Sequence, residues 1–209
     1  MTLEPAFRID LQPSRLKFKR TFDQGWMMSP LAKIRNWLRP APEALVARAL
    51  FTQAMAAARA PEFYLQGGVA DSIDGRFDLV VVHLILIMHR LKGEGEEGRD
   101  LAQRLFDIAF ANFDEALREM GVGDLTVPKR IRKMAEAFYG RVEIYEGALE
   151  TGGDVPFAEA LRRNLYRGKE VSEPALAWTT RAILGFLVRL EASSREDLLA
   201  CRVDAGAAP

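Results

Sequence analysis

The side chains equipped for chemistry in this chain are few: two histidines, one cysteine, and carboxylates and arginines crowded between positions 71 and 141. His83 and His89 stand six residues apart, about 240° around a helix, so they share no face. No H-E-x-x-H occurs, and neither histidine has a cysteine or carboxylate at ligand spacing. His83 lies inside the apolar run Leu79–Met88 and is expected to be a hydrogen-bonded core histidine. Asp71, Asp74 and Asp78 are close in sequence, but their order does not follow the calcium-loop pattern, and capping of a helix start accounts for at least one of them. No metal is expected. Cys201 excludes an internal disulfide or a multi-cysteine metal site and has no histidine close in sequence, so it fits a structural thiol in a reducing compartment. Gly93-Glu94-Gly95-Glu96-Glu97-Gly98 spells G-x-G-x-x-G, but it follows a helix rather than a strand, and its glutamates would repel a pyrophosphate. It is expected to be a solvated interhelical loop. There is no G-x-S-x-G, phosphate loop or Ser/His/Asp set, and no two carboxylates pair in an apolar setting. The expectation is no enzyme, no cofactor and no small-molecule substrate.

The basic residues need a different explanation. Lys129, Arg130, Arg132 and Lys133 crowd the first turns of a helix, where the backbone dipole is already positive and each base costs a few tenths of a kcal/mol, roughly. Arg132 and Glu136 offer relief at i,i+4. The rest is either a solvated face or a docking site for an acidic or anionic-lipid partner. Gly75-Arg76-Phe77-Asp78 likewise sets a cation and an anion beside a helix start, and Arg118-Glu119 and Arg141 stand near helix ends. They either pair with one another to fix loops or form a contact surface. The candidate partner-binding residues are Asp71, Asp74, Arg76, Asp78, Arg118, Glu119, Lys129, Arg130, Lys133 and Arg141.

The elements that must position them are helices. Apolar residues recur at helical spacing over Leu31–Leu38, Pro42–Ala60, Phe77–Leu91, Arg99–Met120, from Val127-Pro128 to Leu149, over Pro156–Tyr166 and over Glu173–Ala192, and no stretch alternates with period two. Glu62–Ser72 is expected to be an irregular connection. Phe77–Leu91 is apolar nearly all round and is expected to be enclosed by other helices. Gly121 and Val122 are placed to close a Schellman ending on Leu117. The expected fold is all-α, a single compact domain of five to six main helices over 30–195. Flexible ends are expected at 1–29, which is rich in bases (Arg15, Lys17, Lys19, Arg20), and at 196–209. Met27-Met28 offer an alternative start.

At 209 residues the chain can bury a substantial core, and 49% apolar with 28% charged residues is ordinary for a globule. With 29 basic and 29 acidic residues there is no cationic excess to recruit nucleic acid. Zero net charge also removes repulsion as a route to solubility, which favours life in complexes. The ten-residue run Leu79–Met88 is half of the roughly 20 residues a membrane-spanning helix needs. The opening residues contain no signal-peptide apolar region.

Several segments together point to a family. These are Phe63-Tyr64, Gly68-Val69-Ala70-Asp71 and Asp74-Gly75-Arg76-Phe77-Asp78, then Leu101-Ala102-Gln103, Leu105-Phe106-Asp107, the run Leu117–Leu125 (LREMGVGDL), Lys133-Met134 and Ala137-Phe138-Tyr139-Gly140-Arg141. In order and spacing they resemble the ubiquinol–cytochrome c chaperone family. The family more often has proline where Ala70 stands, and a more acidic pattern at Asn112-Phe113-Asp114. The resemblance implies a helical, non-catalytic assembly chaperone that binds newly made cytochrome b during cytochrome bc1 assembly. It also implies a bacterial form acting in the cytoplasm, at the inner face of the inner membrane. A structural or scaffold subunit retained in a respiratory complex is the alternative. A holder for a membrane-protein client needs an apolar groove between helices with charged rims, and adaptable methionines suit such a surface. Peripheral membrane contact would fall to Arg15–Arg20 or to the Lys129–Lys133 face.

Overall fold

The computed structural model describes residues 42–199. The segment 1–29, the piece Leu31–Leu38 and Cys201 lie outside the described residues. The chain divides between Leu45 and Val46, and of the first unit only the opening turn of the first helix is described.

The described residues are helical, without a strand. The order is α1 Pro42–Ala58, α2 Glu62–Leu65, α3 Ile73–Lys92, α4 Gly95–Glu119, α5 Val127–Thr151, α6 Asp154–Asn164, α7 Glu173–Ala192 and α8 Arg195–Leu199. The all-α expectation holds: α1 and α3–α7 are the six main helices.

The core is organised around α3. Its residues from Asp78 to Ile87 are all buried, because α4, α5 and α7 pack against it from three sides. Each Leu, Val or Ile removed from water in this way contributes about 1.5–3 kcal/mol before chain entropy is counted. Around α3, each of α4, α5 and α6 packs on its successor. Between α4 and α5 the filling is aromatic: Phe106 stacks on Phe110 at 4.3 Å, and Phe138 meets Phe106 edge-on at 5.4 Å. His83 is a buried core residue, as expected, bonded through Nδ1 to the Leu79 carbonyl at 2.8 Å and set edge-on to Phe63 and Phe186.

Two connections differ from the sequence reading. Gly95–Gly98 is the first turn of α4, not a solvated loop, and Gly98 is buried. A Cβ there would stand 2.0 Å from the Leu91 carbonyl oxygen, so the glycine allows the α3–α4 corner to close. The connection Glu62–Ser72 contains the one-turn helix α2, which plants Phe63 in the core against Trp178. The end of α4 follows the expected Schellman pattern: Gly121 adopts φ +78°, its N–H bonds the Arg118 carbonyl, and Val122 N–H bonds the Leu117 carbonyl. α6 ends at Asn164, earlier than expected, and the chain then turns through left-handed Arg167 and Gly168. Beyond α7, α8 carries the buried Leu198.

Candidate functional site

Three helices leave a stripe each unpaired, and the stripes face one cleft. On α3 the stripe is Ile73, Phe77 and Val80; on α4 it is Phe113, Ala116, Leu117 and Met120; on α5 it is Arg130, Lys133, Met134, Ala137 and Arg141. All follow i, i+3/i+4, i+7 spacing, the repeat that keeps residues on one helix face. The end of α1 (Met55, Ala58, Arg59) and Tyr64 of α2 complete the lining of a cavity of about 1100 Å³. The α5 wall runs from Arg130 to Arg141, about 17 Å of helix. Phe77 and Phe113 meet edge-on at 5.2 Å across it, while Ile73 and Met120 stand half or more exposed. Three of the chain's methionines, Met55, Met120 and Met134, lie in this lining, where a flexible thioether adapts to different occupants.

The charges are arranged by a carboxylate beneath the cleft. Asp78, 1% exposed, accepts from Arg141 Nη2 at 2.7 Å and from Arg167 Nε at 2.7 Å. Arg167 Nη1 also donates to Asp74 at 2.7 Å, and Arg76 Nε to Asp71 at 2.7 Å. Burial raises the Asp78 carboxyl above the usual carboxylate range, and its bonds to Arg167 and Arg141 oppose that rise. Arg167 has φ +56°, a left-handed conformation that a non-glycine side chain adopts at some strain, and the turn it makes carries the guanidinium onto α3. Burial also raises the Tyr64 phenol, which sits under the Arg76 guanidinium.

Five of the ten candidate residues line the cleft: Asp74, Arg76, Arg130, Lys133 and Arg141. Asp71 holds Arg76, and Asp78 lies below and ties α3 to α5. Arg118, Glu119 and Lys129 fall outside the lining. Arg118 bonds Asp114 and Asp124 and so fixes the α4–α5 loop; Glu119 and Lys129 are exposed. Arg132 pairs with Glu136 at 3.3 Å. Capping at the start of α3 falls to Ser72, whose hydroxyl accepts from Gly75 N–H at 3.1 Å, rather than to the neighbouring carboxylates, which turn to arginines instead. Among the described residues no cluster of His, Cys, Asp or Glu is arranged for a metal. Sequence reasoning missed Arg59 and Arg167. Arg167 follows the helix expected over Pro156–Tyr166, and nothing local shows that it reaches residues 89 and 93 positions earlier.

Residues 65–205 match the profile of the family described as "Ubiquinol-cytochrome C chaperone". The chain belongs to this family. All cleft residues from Ile73 to Arg167 fall within the matched stretch, and only the α1 and α2 contributions precede it. Among solved structures, the chain is similar to the "Cbp3 homolog from Brucella abortus", with 34% identity and a TM-score of 0.69, over 84% of this chain and 95% of that one. It is also similar to "Ubiquinol-cytochrome-c reductase complex assembly factor 1" of Xenopus laevis, 25% identical over 113 residues, 54% of this chain and 56% of that protein. The human protein described in the same terms is 25% identical over 139 residues, 66% of this chain and 46% of its own length. The chain thus spans about half the length of the curated relatives it matches. No helix among the described residues is long and apolar enough to cross a membrane.

Proposed function

We propose that this ubiquinol–cytochrome c chaperone is an assembly factor of the cytochrome bc1 complex, that its client is newly made cytochrome b, and that the α3–α4–α5 cleft is where the client is held. The family match and the names of the relatives support the complex. The observation that carries the site is the convergence of the apolar stripes of α3 and α4 with the cation-bearing stripe of α5 on one cleft. A membrane protein awaiting its partners presents apolar helices, and a groove of this kind shields them without turnover. The ionisable groups beside the cleft suit that role. Asp78, its most buried carboxylate, is engaged by two guanidiniums, one on each oxygen. The protein acts in the bacterial cytoplasm, peripherally at the inner membrane, where such a client emerges.

Deletion of the gene in its host tests the reading. Cytochrome b is expected to fall and ubiquinol–cytochrome c reductase activity to be lost, and the tagged chaperone is expected to co-purify with cytochrome b intermediates. Normal cytochrome b and normal activity in the deletion strain would refute it. So would co-migration with the mature complex alone, which is the behaviour of a retained subunit.

A further inference from the structure

The cleft carries uncompensated charge. Six cationic side chains and one carboxylate line it. Asp74, with Asp71 and Asp78 reaching in from outside the lining, occupies Arg76, Arg141 and Arg167. Arg59, Arg130 and Lys133 are left without an ion pair among the described residues, so the cleft is cationic by three charges. Two of these, Arg130 and Lys133, sit one helical turn apart on the same wall. The α5 dipole adds to them, since its first turn has no acidic residue and Thr126 provides no side-chain cap. The opposing dipole at the end of α4 is muted, because the Gly121 and Val122 N–H groups satisfy its last carbonyls.

The shape narrows the choice of occupant. A lone headgroup or phosphate needs one cationic point, whereas here cations and apolar groups alternate along a wall about 17 Å long. The other two walls are helix stripes, and Ala116 on α4 with Ala137 on α5 are small enough to let a further helix approach closely. The Arg76–Asp71 pair at the mouth is exposed on both sides (58% and 56%), so it is weak and free to re-pair.

Resting on the client-holding reading above, we propose that the cleft receives a helical client segment with one apolar face and an acidic edge. Its carboxylates, one turn apart, pair with Arg130 and Lys133, and a further one pairs with Arg59. The apolar face lies on Phe77, Phe113 and Met134.

The test uses the full-length chain and fluorescein-labelled synthetic peptides about five turns long. All share a Leu/Ala face, and the edge carries either glutamates or lysines. Anisotropy is expected to show binding of the glutamate peptide, weakening as salt rises, and little binding of the lysine peptide. Arg130→Glu with Lys133→Glu is expected to weaken the glutamate peptide about tenfold or more. The same double variant is expected to gain affinity for the lysine peptide, a gain that misfolding cannot mimic. Equal binding of both peptides by the wild type, or an unchanged glutamate affinity in the double variant, overturns the proposal. It is equally overturned if neither peptide binds while phosphatidylglycerol vesicles do and the double variant abolishes that binding, which would make the cleft mouth a lipid site. Retention of cytochrome b by the double variant at the wild-type level would sink the acidic-edge inference alone. Failure of the wild type to retain cytochrome b at all would instead sink the proposed function.

Discussion

Replacing Asp78 with asparagine should unlock the cleft from below, and the size of the effect follows from who is left uncompensated. Asparagine keeps the shape and one acceptor but removes the charge shared by Arg141 and Arg167, each at 2.7 Å. The Arg141 side chain is 13% exposed, whereas Arg167 is 40% exposed and keeps Asp74 as a second partner. The loss therefore falls on Arg141. Stripping one partner from a buried pair costs about 3–5 kcal/mol, and the retained bond from Arg141 Nη1 to the Ala137 carbonyl places this case near 3. The Arg167 limb, screened by water, adds less than about 1 kcal/mol. Burial raises the Asp78 carboxyl despite its two arginines, so the intact triad is not itself a large stabiliser. Asp78→Leu combined with Arg141→Met is accordingly expected to recover most of the loss, with a coupling of about 2 kcal/mol. Urea unfolding followed by helical circular dichroism measures all of these, against a total stability of about 5–15 kcal/mol for a domain. The reasoning fails if Asp78→Asn unfolds at the wild-type midpoint, or if Arg167→Ala costs as much as Asp78→Asn.

Three further outcomes are expected. Burial lowers the His83 imidazole from 6.5 to about 4, so the unfolded chain takes up the proton first. Stability is full above the unfolded value and falls by about 3 kcal/mol as pH drops from 6.5 to 4; His83→Gln should flatten that slope in urea midpoints measured across the window. Asp78 acts in the opposite sense in the carboxylate range, its raised carboxyl withdrawing stability as pH climbs, so the His83 variant isolates the imidazole. Gly98→Ala forces a Cβ against the Leu91 carbonyl and should cost about 1–3 kcal/mol, while Gly147→Ala, on an exposed helix face with nothing within 4 Å, should gain about 0.5–1 kcal/mol; thermal melts showing the reverse order would refute the packing role of Gly98. Tyr166→Phe removes the buried hydroxyl that donates to the Gly67 carbonyl at 2.6 Å and should cost about 1–2 kcal/mol in urea unfolding, with no loss if the bond is unimportant.

Which features were legible in the sequence follows from the range of the interaction behind each. Periodicity, capping and glycine endings act within one or two turns, so α3, α4, α5 and α7 and the Schellman close at Gly121 could be read in advance. His83 could be placed because a polar residue inside an all-round apolar helix must find a carbonyl one turn back. Gly93–Gly98 misled because glycine and glutamate spell a loop locally, while the reason for Gly98 lies across the corner, in the Leu91 carbonyl. His89 shows the same limit: its carboxylate, Glu146, stands 57 residues away at 2.9 Å, beyond any local spacing rule.

By itself, then, the sequence determined an all-helical chain with a buried central helix and displaced charges at helix ends, because these features depend on residues a few positions apart. Through its motifs it also pointed to the family. Tertiary structure alone decided that those charges divide into two kinds. Asp71, Asp74 and Asp78 are drawn to arginines up to 93 residues distant, whereas Arg130 and Lys133 find no ion-pair partner among the described residues and face a cleft. The physical reason is that helix periodicity fixes which side a residue is on, and only the packing of α3, α4 and α5 decides which sides are left to face one another.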